Sequence, residues 1–457
     1  MKELFDTVAA VSTPRGKGGI AVIRISGPNA RDILARVFRP LTRAPQDAPR
    51  SAVFGEILGA DGRVIDEGLA TLFVAPASFT GEDVAELSCH GGILLTEQVL
   101  SATLAAGARP ARAGEFTRRA LMNGKMKLSA AEALGNLLEA QTAGQLTLAR
   151  GGMAGHLSAK LEGAYARLSA LLADAYAKID FPDEDLNTLS REELANAFAD
   201  VAEGLSALLA TYRTGHAVAE GIRTVICGPV NAGKSTLYNA LLGREAAIVT
   251  DVAGTTRDIL CETVALGDVT LRLFDTAGLR ETDDRVEGIG VERSREAMQS
   301  AELIFAVLDA SRAPDGEALA FCQMLPTLSA TVVAVLNKCE AGSAFPEELL
   351  EGCAAVVRLS AKGGDITPLC EAVSRLYLDE GIALGEDAVV ANARQFAALT
   401  RAREALVCTV EALRGEVPLD AACIDAELAM QYLGEVDGRA VDESILADIF
   451  SHFCVGK

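Results

Sequence analysis

Positive charge is scarce in this chain: 42 lysines and arginines stand against 63 aspartates and glutamates, a formal net charge of −21. That deficit argues against a surface that grips nucleic acid by broad phosphate neutralisation. Any RNA contact must then be local or shared with a partner. No run of about 18 uninterrupted apolar residues occurs, which excludes a transmembrane helix. The N-terminus lacks the apolar core of a secretory signal. The ten cysteines form no C-x-x-C pair and no ordered spacing. This excludes a disulfide or zinc framework, leaves them as reduced thiols, and makes the cytoplasm the expected location.

What is present is a long chain with large apolar reserves. Its 457 residues, half of them hydrophobic, suffice for two to four domains. Residues 1–123 mix short β-rich runs with glycine and proline breaks, an α+β texture. Residues 124–220 turn alanine- and leucine-rich, and Leu161, Tyr165, Leu168, Leu172 and Ala175 recur at the spacing of one face of a long amphipathic helix. Residues 221–378 alternate apolar strands with loops and helices. Residues 379–457 return to the helical texture. The economical account is a helical domain interrupted by an inserted α/β domain, since insertions succeed where the guest's termini lie close together. The acidity of Asp180–Asp185 could bind a cation, but carboxylates beside a proline read first as a solvated turn.

The inserted segment carries the strongest chemistry. Gly228-Pro229-Val230-Asn231-Ala232-Gly233-Lys234-Ser235 is a G-x-x-x-x-G-K-[ST] phosphate loop, placed between an apparent strand, Thr224–Cys227, and an apparent helix, Thr236–Leu242. Backbone N–H groups of such a loop surround phosphate oxygens, Lys234 reaches the β- and γ-phosphates, and the Ser235 hydroxyl can hold Mg²⁺. Downstream, Asp251-Val252-Ala253-Gly254-Thr255-Thr256 has the form of a switch I loop, with Thr256 a second Mg²⁺ ligand. Asp275-Thr276-Ala277-Gly278 is a D-x-x-G loop. Asn337-Lys338-Cys339-Glu340 and Ser360-Ala361-Lys362 follow two further apolar runs, where GTPases grip guanine. The usual base-pairing aspartate is a glutamate here, Glu340, which keeps the carboxylate and lengthens its reach. Leu279 stands where signalling GTPases place a water-orienting glutamine. Either the water is positioned otherwise or hydrolysis is very slow; the polar segment Arg280–Gly290 offers carboxylates that could act, and reads equally as a solvated loop.

These motifs, in this order, resemble the tRNA modification GTPase family MnmE (TrmE) along essentially the whole chain. So do Gly18–Gly27, Ser78–Glu86 with His90-Gly91-Gly92, Gly114–Ala120 with Asn123-Gly124-Lys125, and the terminal Phe453-Cys454-Val455-Gly456-Lys457. The resemblance implies an α+β tetrahydrofolate-binding and dimerisation domain, a discontinuous helical domain and a Ras-like P-loop GTPase domain. It implies a homodimer that works with the flavoprotein MnmG, in a heterotetramer, to place an aminomethyl or carboxymethylaminomethyl group on C5 of the wobble uridine of certain tRNAs. A tetrahydrofolate derivative, 5-formyl- or 5,10-methylene-, would supply the carbon at Arg24, Glu86, Lys125 and Lys457. K⁺ would be held by Asn231, Thr250, Val252 and Thr255, and Glu287 would orient the attacking water. Cys454 reads equally as a thiolate nucleophile or as a small apolar anchor. The competing reading is a regulatory or ribosome-assembly GTPase without modification chemistry.

Overall fold

The computed structural model describes residues 6–181, 188–243, 261–274, 298–439, 443–451, 453, 455 and 456. The chain divides into two compact units, Met1–Gly135 with Asp437–Lys457, and Asn136–Val436.

The first unit contains β1 (Val8–Val11), β2 (Ile20–Ser26), α1 (Ala30–Val37), β3 (Phe38–Pro40), β4 (Val53–Leu58), β5 (Val64–Phe73), β6 (Val84–His90), α2 (Ile93–Ala105), β7 (Arg109–Pro110) and α3 (Glu115–Met122). The seven strands form one sheet in the order β3-β4-β5-β6-β2-β1-β7. All pairs are antiparallel except β1 with β7. Alternation along β2 sends Ala21, Ile23 and Ile25 into a core shared with Ile33 and Leu34 of α1 and Val99 of α2. Because side chains alternate across a pleated strand, Arg24 is left on the other face. Helix α3 is tied down by charge: Arg119, 1% exposed, meets Asp6, Glu82 and Glu115 at 2.8, 3.1 and 3.1 Å. Three carboxylates offset the cost of burying that guanidinium. The helix thereby fixes Phe116, which is fully buried.

The second unit holds a helical bundle and an α/β sheet. The bundle is built from α6 (His156–Asp180), α7 (Arg191–Ala210), α12 (Ala393–Arg414) and α13 (Leu419–Asp437), numbered with α4 (Leu128–Glu139) and α5 (Ala143–Ala154) before them. One core joins Leu161, Leu168, Leu172 and Ala175 of α6 to Phe198 of α7, Leu399 and Leu406 of α12 and Leu433 of α13. The helical periodicity read from the sequence is therefore the buried face of α6, with Tyr165 at its margin. Each buried leucine is worth about 1.5–3 kcal/mol of transfer free energy. A capping box, Ser190 with Glu193, starts α7, which satisfies backbone N–H groups that the first turn leaves free.

Between α7 and α12 the chain makes α8 (Tyr212–Ala219), β8 (Ile222–Cys227), α9 (Lys234–Leu242), β9 (Cys261–Leu266), β10 (Val269–Phe274), β11 (Leu303–Asp309), α10 (Gly316–Met324), β12 (Thr331–Asn337), β13 (Ala355–Arg358) and α11 (Thr367–Tyr377). The strands order as β13-β12-β11-β8-β10-β9, parallel except for β9. A parallel sheet covered on both sides needs strands that are apolar throughout. Accordingly β11 is buried from Leu303 to Leu308. The bundle core draws on both sides of this inserted segment, so the helical domain is discontinuous, as expected. The Asp180–Asp185 turn lies mostly outside the described residues.

A histidine sits where α8 delivers the chain to this sheet. His216 Nε2 lies 3.0 Å from Glu302 and Nδ1 3.1 Å from Glu220. Glu302 also accepts from the backbone N–H of Arg223. The neighbouring carboxylates of Glu220 and Glu302 outweigh burial and raise the imidazole above its ordinary value of 6.5. A group more basic in the folded chain stabilises fully below its unfolded pKa, and loses that contribution as pH rises through the folded value. His216→Asn is therefore expected to lower the melting temperature more at about pH 6 than at about pH 8.5. An equal loss at both pH values in thermal scans would remove the ionic role.

Candidate functional site

Strand β8 is buried in the centre of its sheet and ends directly in the glycine loop, and α9 begins at Lys234. Two glycines are dictated by neighbours. Gly228 has φ +148° and a Cβ there would run into the carbonyl of Val307; Gly233 has φ +99° and a Cβ there would strike the Asn337 amide. Any side chain at either position would displace the adjoining strand end or loop. Lys234 lays its ammonium on the carbonyls of Gly228 (3.0 Å) and Pro229 (2.9 Å). Burial lowers its pKa, against the pull of Glu317. Ser235 and Thr236 are exposed on the first turn of α9, where the unpaired N–H groups and the helix dipole favour an anion.

The two loops expected to grip a base converge on this turn. Asn337, 2% exposed at the end of β12, donates from Nδ2 to the carbonyl of Ala232 (3.0 Å) and accepts from the N–H of Ala361 (2.9 Å). One amide thus ties the phosphate loop to the Ser360–Lys362 loop. Lys338 donates to the carbonyl of Asn231 at 2.6 Å and to Asp309 at 2.8 Å. Glu340 is exposed; the Ser360 hydroxyl, with help from Lys362 and Lys338, holds its carboxyl below the ordinary glutamate range. It is therefore an anionic acceptor at neutral pH. Asp309 was not singled out by sequence reasoning. Its only signal was a carboxylate closing the apolar run of β11.

Thr250 to Thr256, Asp275 to Gly278, Leu279, Glu287, Cys454 and Lys457 lie outside the described residues. Among the expected folate residues, Arg24 and Glu86 are brought together although 62 positions apart. The antiparallel register pairs them directly across β2 and β6, and Arg24 Nε donates to Glu86 at 2.9 Å. The Arg24 guanidinium also lies 5.6 and 5.7 Å from the ring centroids of Phe79 and Phe116, within cation–π reach. The C-terminal tail arrives here too: Ser12 donates to the Gly456 carbonyl at 3.0 Å, which lies 3.5 Å from Arg24 Nη1. Lys125, exposed, donates to the carbonyl of Pro76 at 3.0 Å.

A parallel sheet that feeds a glycine loop into a helix, with N-K-x-E and S-A-K loops tied to that turn, defines a P-loop GTPase domain. The chain that carries it belongs to the MnmE (TrmE) family of tRNA modification GTPases. Residues 7–125 match the GTP-binding protein TrmE N-terminus, and residues 128–454 match the MnmE helical domain. The tRNA modification GTPase MnmE of Symbiobacterium thermophilum is 41% identical over 458 residues, 99% of each chain. That of Heliobacterium modesticaldum is 41% identical over 465 residues, again 99% of each chain. Among solved structures, the G domain of the T. maritima FeoB iron transporter aligns with 34% of this chain and 97% of its own. The two are 22% identical in sequence, with a TM-score of 0.26. Among the described residues, no helix is long and apolar enough to cross a membrane.

Proposed function

We propose that this GTPase is activated by K⁺ and acts in the cytoplasm as a homodimer with the flavoprotein MnmG, to modify C5 of the wobble uridine, position 34, of certain tRNAs. The observation that supports modification over a bare switch is the Arg24–Glu86 pair with the Gly456 carbonyl beside it. A regulatory GTPase has no use for a cation and carboxylate buttressed by two phenyl rings and that carbonyl. That site suits a folate: the guanidinium meets a carboxylate, and Glu86 accepts from the donor edge of a pterin. Lys125 and Lys457 would add cations for the glutamate tail. A tetrahydrofolate derivative supplies the one-carbon unit when bound. Arg24→Ala in the full-length protein is expected to weaken 5-formyltetrahydrofolate binding by about 10-fold or more in calorimetric titration. Unchanged binding would revive the switch reading.

On the nucleotide side, Lys234 supplies positive charge to the β- and γ-phosphates. Ser235, with Thr256, would hold Mg²⁺, while Glu340 and Asn337 select guanine. The Asn231 side chain is exposed on its turn and fits a cation ligand, alongside oxygens of Thr250, Val252 and Thr255. Those oxygens would hold K⁺, whose positive charge would offset charge developing in the transition state, the role an arginine finger plays elsewhere. Glu287 takes the water-orienting place that Leu279 cannot fill. GTP hydrolysis is expected to run at least about 10-fold faster in K⁺ than in Na⁺ at matched ionic strength. Equal rates would remove the cation from the mechanism.

A further inference from the structure

Only three non-glycine residues among those described have positive φ, and two of them, Asn231 and Lys338, both at +63°, are joined to each other. The link is the 2.6 Å hydrogen bond from the Lys338 ammonium to the Asn231 carbonyl. A left-handed backbone is unfavourable for most residues with a Cβ, less so for asparagine, and persists where surrounding contacts impose it. At Asn231 the imposing contact comes from the base-loop side of the site. Its anchor is Asp309, whose carboxylate is 11% exposed and 2.8 Å from the same ammonium.

Asp309 is itself held rigidly. It accepts from the backbone N–H of Ser311 at 3.0 Å and from the Ser311 hydroxyl at 2.6 Å. It stands in direct register with Asn337 across β11 and β12, and Asn337 grips the next residue of the turn through the Ala232 carbonyl. Arg312 approaches the carboxylate at 3.5 Å but is half exposed, so Lys338 is the principal charge partner. Two successive carbonyls of the phosphate loop, 231 and 232, are therefore fixed from the N-K-x-E motif. The Lys338 half of that grip depends on a carboxylate outside every motif of the sequence.

We infer that Asp309 is a positioning residue of the GTPase site: through Lys338 it holds the Asn231 turn in the setting that presents its side chain, so that the response to K⁺ depends on Asp309. This rests on the reading of Asn231 as a cation ligand. Asp309→Asn retains an acceptor for Ser311 but removes the charge that orients Lys338. Asp309→Glu keeps the charge with a longer reach.

The test uses the full-length protein, with GTPase rates across a K⁺ series at constant ionic strength and GDP affinity from a fluorescent-nucleotide titration. Asp309→Asn is expected to raise the half-activating K⁺ concentration by about 10-fold while weakening GDP by only about 3-fold, with partial recovery in Asp309→Glu. A merely structural role would move both constants by the same factor or neither, and either result overturns the inference. Failure of the cation reading has a different mark, namely equal wild-type rates in K⁺ and Na⁺. The Asp309 inference is then judged on GDP affinity alone. There Asn231→Gly, which takes the left-handed backbone freely, should recover at least about half of the loss caused by Asp309→Asn. No recovery would overturn it.

Discussion

Asn337→Ala is expected to produce the largest combined loss of any single change in the nucleotide site. The amide is buried and answers two backbone groups, the Ala232 carbonyl and the Ala361 N–H. Truncation leaves both without that partner and separates the phosphate loop from the S-A-K loop. A buried group left unsatisfied costs about 1–3 kcal/mol, so the loss of stability should be about 2–5 kcal/mol. Nucleotide affinity should fall by about 100-fold or more, because the loops that must meet phosphate and base at once no longer share a tether. Denaturant unfolding and GDP titration of the same preparation check both. Wild-type GDP affinity in the variant would show that the loops are fixed by other contacts.

Lys234→Ala should separate function from stability. The ammonium rests on two carbonyls of its own loop, so its removal is expected to change unfolding free energy by less than about 1 kcal/mol. Hydrolysis depends on it far more, since a positive charge in a site partly screened from water acts directly on charge developing in the transition state. A fall in kcat of about 10²–10³ is expected, measured under saturating GTP. A kcat within about threefold of wild type would contradict the place given to Lys234.

Much of this was legible in the sequence because it depends on local spacing. The phosphate loop needs glycines at fixed intervals between a strand and a helix, and β8 and α9 lie where that spacing put them. The long face of α6 followed from its 3.6-residue period. What could not be read depends on strand pairing. Arg24 and Glu86 meet only because β2 and β6 run antiparallel in one register, and periodicity within each strand says nothing of its neighbour. The resemblance supplied the pair; the sheet supplies the reason. Asp309 escaped notice for the same cause. It is meaningful only once β11 lies beside β12 and brings it to Lys338. Lys125, which the resemblance groups with Arg24, donates to the Pro76 carbonyl.

The glutamate at position 340 is a substitution within the base-gripping loop. From sequence, it keeps the base-pairing carboxylate at the cost of a longer side chain. In the structure that carboxylate is exposed, and the Ser360 hydroxyl, with the flanking lysines, holds it below the ordinary glutamate range.

The central claim, that GTP turnover on this chain serves wobble-uridine modification, is tested most directly in tRNA itself. Nucleosides from tRNA of cells lacking the protein, separated and weighed by mass spectrometry, should show loss of the aminomethyl and carboxymethylaminomethyl groups at C5 of uridine 34. Restoring the wild-type gene should bring them back, and restoring Lys234→Ala should not. An unchanged set of C5-modified uridines in the cells without the protein would contradict the account.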